Sequence, residues 1–380
     1  MATLTTTSPA ATDFDHLLDV RDLQVEFRMR AGVAKAINGV SFHLDERETL
    51  AILGESGSGK SVTAQAIMGI LDTPPGYVTG GVALFQGVDM LKMPPAARAA
   101  MRGPRISMIF QDALSSLNPV FPVGWQIAEM FRIHRKMNKS DAMDLAVTLM
   151  ERVHIPAAKQ RVKDYPHQFS GGMRQRVMIA MAIALDPWIL IADEPTTALD
   201  VTVQAQIMNL LKELQDEFGM GLILITHDLG VVANVSDRIA VMYAGRLVET
   251  APVEALYASP RHPYTQGLLE SVPRLDSKLG ETLPAIGGIP PSLLAMPPGC
   301  PYHPRCKHAI TRCCQGDPPP LEAVSEGCQA ACCKVDDPAV VAASRRAVAC
   351  EPGRGAVSKA DTAFEVEVAG PSLVAGGESA

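Results

Sequence analysis

Thr49-Leu-Ala-Ile-Leu-Gly54-Glu-Ser-Gly-Ser-Gly-Lys60-Ser61 decides the fold. Thr49–Leu53 is a short, mostly apolar run that reads as a strand, and a helix is expected from about Ser61 to Leu71. Between them, Gly54–Ser61 fits G-x-x-x-x-G-K-[ST] at every position. A chance Gly/Ser turn would lack this strand–loop–helix order. Glycines let backbone N–H groups curl around an anion, and the helix N-terminus adds its positive end. Gly54, Glu55, Ser56, Gly57, Ser58, Gly59, Lys60 and Ser61 are therefore candidates to cradle nucleotide phosphates. Lys60 would reach the β- and γ-phosphates, and the Ser61 hydroxyl would ligate Mg²⁺.

Working outward, Ile106–Phe110, Trp188–Ala192 and Gly221–Thr226 are further short apolar runs, as expected of strands covered on both faces. They alternate with helical patterns from Leu18 to about Thr250, the signature of an α/β domain with a parallel sheet. Val123–Ile155, rich in Met, Leu and Ala at helical spacing, reads as an inserted helical region. Trp188-Ile-Leu-Ile-Ala-Asp193-Glu194 carries two carboxylates to a strand end, where doubly wound sheets bind their ligands. Asp193 is placed to hold Mg²⁺ and Glu194 to polarise an attacking water as general base. A solvated acidic strand end is the bland alternative, and the presence of Lys60 and Ser61 makes it minor.

The rest of the chain sets bounds. Its 380 residues give a prior of two to three domains at roughly 150 per domain. With 47% hydrophobic and 20% charged residues there is material for a buried core, which excludes a wholly disordered or collagen-like chain. Lys and Arg total 34 against 41 Asp and Glu, net −7, so the basic footprint of a nucleic-acid binder is missing. The longest strictly apolar run, Val177–Leu185, has nine residues. A membrane-spanning helix needs about 20. Met1–Pro9 has neither a basic nor an apolar region and reads as a loose tail, not a signal peptide. Residues 1–17 and 352–380 are expected to be disordered. All eight cysteines fall within Cys300–Cys350. An unexported protein sits among reduced thiols, so a metal or redox explanation is expected there before structural disulfides.

Phe169-Ser170-Gly171-Gly172-Met173-Arg-Gln-Arg176, ahead of the Asp193-Glu194 strand end, resembles the signature of ATP-binding cassette (ABC) proteins, with Met where many members have Gln. Gln111 in Phe110-Gln-Asp, Ala198-Leu-Asp200 and Thr226-His227-Asp228 follow in family order. Each piece is weak alone; together at ABC-like spacing they are specific, and they cover roughly Leu18–Thr250. The resemblance implies a P-loop NTPase fold: a RecA-like parallel core, an antiparallel β arm and an inserted helical subdomain. It also implies a head-to-tail dimer in which Ser170, Gly171, Gly172 and Met173 contact the ATP of the partner domain. A hydroxyl and free N–H groups opening a helix suit such an anion. By the same resemblance, His227 contacts the γ-phosphate, Gln111 senses Mg²⁺ and water, and Asp200 lies in the D-loop. Adenine would stack on an aromatic side chain near the first strand: Phe27 is the candidate, a buried core Phe the alternative.

Longer runs narrow the family. Met108-Ile-Phe-Gln-Asp-Ala-Leu-Ser-Ser-Leu-Asn-Pro119, Tyr165-Pro-His-Gln-Phe-Ser170, Ala192–Gln206 and His262-Pro-Tyr-Thr-Gln-Gly-Leu-Leu269 resemble the ATP-binding subunits of bacterial dipeptide and oligopeptide importers, a branch shared with nickel importers. Ala113 stands where the family usually has Pro, and Arg47 where a Gly commonly precedes the Glu. The resemblance implies an ABC domain over 18–257, a peptide-importer-type extension over 258–351, and a peripheral place on the cytoplasmic face of the inner membrane. Its partners would be two transmembrane permease subunits, a paralogous ATP-binding subunit and an extracytoplasmic substrate-binding protein. Asp112–Trp125 would contact the permease. In some members the extension holds a [4Fe–4S] cluster, which would give Cys300, Cys306, Cys313 and Cys350 as ligands, with Cys314 an alternative to Cys313. The spacing matches neither the usual zinc pairs nor the common ferredoxin patterns, and unmetallated thiols are the other reading. Cys328, Cys332 and Cys333 have no assigned role. A soluble non-transport ABC ATPase would bring tandem cassettes or long coiled-coil insertions, and a small-molecule P-loop kinase would lack Ser170-Gly171-Gly172 and His227. ATP and Mg²⁺ are the expected cofactors.

Overall fold

A computed structural model describes residues 14–112, 116–197, 199–272, 285–338 and 340–341. Residues 1–13, Ala113, Ala198, Cys350 and the 352–380 tail lie outside the described residues.

Two sheets make the frame. β1 (Leu18–Met29), β2 (Gly32–Leu44), β4 (Gly76–Phe85) and β5 (Val88–Asp89) form an antiparallel arm in the order β2-β1-β4-β5. The larger sheet holds β3 (Thr49–Leu53), β6 (Ile106–Ile109), β7 (Ile189–Asp193), β8 (Gly221–Thr226), β9 (Arg238–Tyr243), β10 (Arg246–Pro252), β11 (Glu322–Ser325) and β12 (Cys328–Ala330). Its order is β11-β12-β10-β9-β3-β8-β7-β6. The run from β9 to β6 is parallel, and every residue of β3, β6, β7 and β8 is buried, which explains their unbroken apolar sequence.

Register builds the site. Leu53 pairs with Thr226, Asp193 with Ile225, and Ile109 with Ala192. The carboxyl ends of β3, β6, β7 and β8 therefore finish level, so the residues that follow each strand meet at one edge. The phosphate loop, Gln111, Glu194 and His227 are those residues.

Helices cover the parallel strands. α1 (Lys60–Met68) begins at the loop and is closed by Gly69 at φ +64, earlier than the expected Leu71 because glycine takes the left-handed cap. α2 (Val123–His134), α3 (Lys139–Arg152) and α4 (Gly171–Ile183) share one apolar cluster through Ile127, Phe131, Ala146, Met150, Val177 and Ile183. This is the inserted helical region. α5 (Val201–Phe218) opens on Asp200 and ends at Gly219. No helix among the described residues is long and apolar enough to cross a membrane.

The C-terminal segment joins the same sheet. β12 pairs with β10 through Glu249–Ala330 and Thr250–Gln329, and β11 extends the hairpin outward. α6 (Pro263–Glu270) carries the buried Tyr264 into a cluster with Tyr243, Leu256, Tyr302 and Cys300. The C-terminal segment is thus joined to the parallel core by strand pairing and by an apolar seam.

Candidate nucleotide site

The loop after β3 needs its glycines. Gly59 has φ +108, a conformation other residues resist, and a Cβ there would lie 2.6 Å from Ile37 Cδ1. At Gly54 a Cβ would meet the Met242 carbonyl oxygen. Lys60, only 5% exposed, donates to the carbonyls of Gly54 at 2.8 Å and Glu55 at 3.0 Å. Burial lowers its pKa while the carboxylates of Glu194, Asp193 and Glu55 oppose the shift. The buried ammonium is thus held in the loop by weak dipoles, a charge that an arriving phosphate would satisfy better. Ser58 Oγ is buried without a hydrogen-bond partner in the same loop.

Ser61 and Asp193 are brought together from distant sequence: Ser61 Oγ donates to Asp193 Oδ1 at 3.0 Å. Burial raises the Asp193 pKa, with the Ser61 hydrogen bond opposing. A hydroxyl and a carboxylate at this spacing beside the lysine are a hard-oxygen donor set of the kind Mg²⁺ takes. The residues present therefore fit the ion.

Glu194 is the centre of the edge. Gln111 Nε2 donates to Glu194 Oε2 at 2.9 Å, Thr197 Oγ1 donates to the same oxygen at 2.9 Å, and His227 Nδ1 lies 3.3 Å from Oε1. Its backbone is in the left-handed region at φ +46, held by its N–H donating to the Ile225 carbonyl at 2.8 Å. Strained non-glycine residues that the surroundings hold in place concentrate at functional sites. Asp193 and Glu194 therefore separate in role by one residue: the first is buried at a strand end, the second turns outward into a cage of donors.

Ser170 caps α4, its hydroxyl accepting from the Met173 N–H at 3.4 Å, and is exposed with Gly171. Gly172 packs toward Val203, so a Cβ would sit 2.6 Å from its Cγ1. Asp200 is the N-cap of α5, its side chain accepting from Val203 N at 2.9 Å. Phe27 is half-buried against the core of the arm, so part of its ring is spent on packing. Beyond β6, Val120 is 69% exposed, and Phe121 stacks on Trp125 at 4.3 Å, leaving an apolar surface just after Gln111.

Sequence reasoning placed Glu55 among the phosphate ligands, but its groups point elsewhere. Its N–H donates to Tyr264 Oη at 2.9 Å, and its carboxylate takes two hydrogen bonds from Arg305. Arg305, Tyr264 and Thr197 went unnoticed as parts of this edge. Tyr264 sat in the quoted His262–Leu269 run and Arg305 beside Cys306, so the available signal was proximity to a motif.

The cysteine expectation needs correction. Cys313 is bonded to Cys333, with Cα atoms 6.3 Å apart, which also overturns the expectation against disulfides. The two residues line one small pocket together with Cys300, Cys306 and Cys332. Burial raises the thiol pKa values of Cys300 and Cys306, and pushes Cys332 up to about 11. A disulfide sulfur is no thiolate, so Cys313 does not serve as a [4Fe–4S] ligand here, and Cys350 lies outside the described residues. Elsewhere His16, His43 and Asp45 bring three ligand atoms within 4.8 Å. The two rings stack at 3.9 Å, however, and stacked imidazoles cannot both aim in-plane lone pairs at one ion.

Comparisons with known proteins agree with this geometry. The family model for ABC transporters matches residues 37–197, and that for the oligopeptide/dipeptide transporter C-terminal region matches 248–313. The oligopeptide transport ATP-binding protein OppD of Bacillus subtilis is 54% identical over 303 residues, covering 80% of this chain and 85% of that protein. OppD of Escherichia coli is 51% identical over 320 residues, covering 84% and 94%. The dipeptide transport ATP-binding protein DppD of Bacillus subtilis is 50% identical over 299 residues, covering 79% and 89%. Among solved structures, the dimeric post-hydrolysis state of the ATP-binding cassette MJ0796 bound to ADP and Pi is similar with a TM-score of 0.56. That match is 26% identical and covers 62% of this chain and 98% of the other.

Proposed function

The chain belongs to the ATP-binding subunits of oligopeptide and dipeptide ABC importers, and from that membership we propose that it hydrolyses ATP to drive peptide import. The observation that carries the mechanism is the convergence of Gln111, Thr197 and His227 on one carboxylate, Glu194, beside the Ser61–Asp193 pair. Loop N–H groups and Lys60 bind the β- and γ-phosphates. Ser61, Asp193 and the Gln111 side-chain oxygen would hold Mg²⁺, which would supply charge neutralisation at the phosphoryl oxygens. Glu194 accepts the proton of the attacking water while its three neighbours hold the carboxylate in place. His227, 63% exposed, is free to reach the γ-phosphate once nucleotide is bound.

Ser170, Gly171, Gly172 and Met173 take the phosphates of the ATP held by a second, paralogous subunit, so ATP closes the pair and hydrolysis opens it. Two permease subunits dock on the apolar surface around Val120 and Phe121, and an extracytoplasmic binding protein delivers the peptide. The chain works peripherally on the cytoplasmic face of the cell membrane, as an ABC unit over 18–257 with an extension over 258–351. An iron–sulfur cluster has no part in this reading.

The test is ATP hydrolysis in liposomes with the permease, the partner ATPase and the binding protein. One arm receives di- and oligopeptides, the other chelated nickel. Stimulation by peptides alone is expected; stimulation by nickel alone would replace the cargo, and failure to assemble with a permease would overturn the transport reading.

A further inference from the structure

One side chain of the extension reaches the phosphate loop. Arg305 lies in a short turn, His303–Arg305, between Cys300 and Cys306. Its guanidinium makes a two-pronged contact with Glu55, Nη1 to Oε2 at 2.8 Å and Nη2 to Oε1 at 3.0 Å. Nη1 also donates to Tyr243 Oη at 3.3 Å, Nε to the Gly287 carbonyl at 2.9 Å, and Nη2 to the Ile286 carbonyl at 3.4 Å. All five N–H donors of the guanidinium are thereby used. The side chain is 5% exposed. Tyr264, fully buried on α6, accepts from the Glu55 N–H, and its ring lies 4.7 Å from that of Tyr243 and 5.4 Å from that of Tyr302.

Glu55 is the second residue of the phosphate loop, five residues before Lys60. A carboxylate pinned by a planar fork and an N–H pinned by a buried phenol together fix one end of that loop. Loops that must be ordered at binding lose affinity, and a loop held ready avoids that cost. Lysine offers one rotating point charge, so it could not reproduce the fork or the remaining three contacts.

We propose that Arg305 is a positioning residue of the nucleotide site: the C-terminal extension holds the phosphate loop in its binding conformation through Glu55, with Tyr264 as the second anchor. The proposal rests on the phosphate-site reading above. It predicts an effect on nucleotide affinity, because the groups at the γ-phosphate, Glu194, Gln111 and His227, stand on other strands and keep their own contacts.

The experiment measures KM for Mg-ATP and kcat with the full chain in its assembled importer. Variants are Glu55→Gln, Arg305→Met, Arg305→Lys, the double Glu55→Gln/Arg305→Met, and Lys60→Ala as a check on the site itself. Glu55→Gln and Arg305→Met should each raise KM about tenfold with kcat changed less than twofold. The double variant should be no worse than Arg305→Met alone, since both break one contact. Arg305→Lys should recover part of the affinity. If Arg305→Met does not fold, Glu55→Gln decides alone. KM within twofold of wild type in Glu55→Gln, or effects that multiply in the double variant, would overturn the proposal. Lys60→Ala separates the two levels: KM unchanged there would sink the phosphate site, whereas lost binding in Lys60→Ala with a normal Glu55→Gln would sink only the role of Arg305.

Discussion

The phosphate edge and the extension seam touch at Glu55, yet they are built in opposite ways. The edge is made from residues contiguous with strand ends, so backbone register alone delivers Lys60, Asp193, Glu194 and His227 to one place. The seam is made from side chains far apart in sequence: Tyr243, Glu249, His262, Tyr264, Tyr302 and the buried side chain of Arg305. Chemistry written into short motifs survives as a pattern. Support assembled by packing leaves almost no pattern, because each member is only a tyrosine, a histidine or an arginine until the fold collects them. The comparison makes a claim about energy: away from the Glu55–Arg305 contact where the two meet, changes at the edge should alter turnover with little effect on stability, and changes in the seam should do the reverse.

The largest effect is expected at Glu194. Glu194→Gln keeps the shape and the Gln111 and Thr197 neighbours but removes the proton acceptor, so kcat should fall roughly 10³-fold while ATP still binds. Thermal unfolding should shift little, since the side chain is a partly exposed strand-end group. Single-turnover hydrolysis and nucleotide binding on the same preparation check both halves. Turnover near the wild-type rate would remove Glu194 from the base role; a large stability loss would break the contrast between edge and seam.

That contrast also marks what was legible beforehand. The strand limits Thr49–Leu53 and Gly221–Thr226 follow the sequence residue for residue, because a strand buried on both faces is an apolar run with abrupt ends. The parallel core was readable for that reason, whereas the strand-end positions of Gln111, Glu194 and His227 came from motifs in family order. Motif membership says nothing about where the Glu55 side chain points, and it points to Arg305. Arg305 hid among cysteines that drew attention to themselves, and the Cys313–Cys333 bond follows from a chain path between Cys313 and β12 that no spacing reveals. Ser170 and Asp200 illustrate the middle case: one was read as facing the partner's ATP and the other as a D-loop residue, and both cap helices.

In the seam, pH is the sharper tool. Burial raises Glu249 to about 7, opposed by the backbone N–H groups of Arg261 and His262, which donate to its carboxylate. Burial alone lowers His262 to about 3, and its Nδ1 accepts from the Tyr264 N–H. Glu249 stays protonated in the folded chain after the unfolded chain has released its proton, so its contribution to stability falls as pH rises from about 4.5 to about 7. His262 stays neutral in the folded chain after the unfolded chain has taken a proton, so its contribution falls as pH drops from about 6.5 to about 3. Between about 4.5 and 6.5 the two slopes oppose and nearly cancel. Glu249→Gln should therefore expose a stability that rises with pH, by up to about 1.4 kcal/mol per unit, and His262→Asn a stability that falls. Urea unfolding at half-unit steps reads the difference curves against wild type. Parallel curves for all three proteins would mean the seam is not dry.

The smallest effect tests a position that belongs to neither region. Arg47 stands in the β2–β3 turn at φ +61, where a residue with a Cβ is disfavoured. Its carbonyl accepts from Gln215 Nε2 at 3.0 Å, and that bond needs only backbone. Its guanidinium lies against Gly219, the cap of α5, without an ion pair among the described residues. Glycine takes the left-handed conformation freely, so Arg47→Gly should remove strain worth about 1 kcal/mol, offset in part by the greater freedom of glycine in the unfolded chain. A net gain of about 0.5 kcal/mol is expected in urea unfolding, with KM, kcat and the pH slopes of the seam unchanged. A change in KM would mean that the turn communicates with the phosphate edge through β3, and the separation of edge from scaffold would be weaker than the register of the sheet implies.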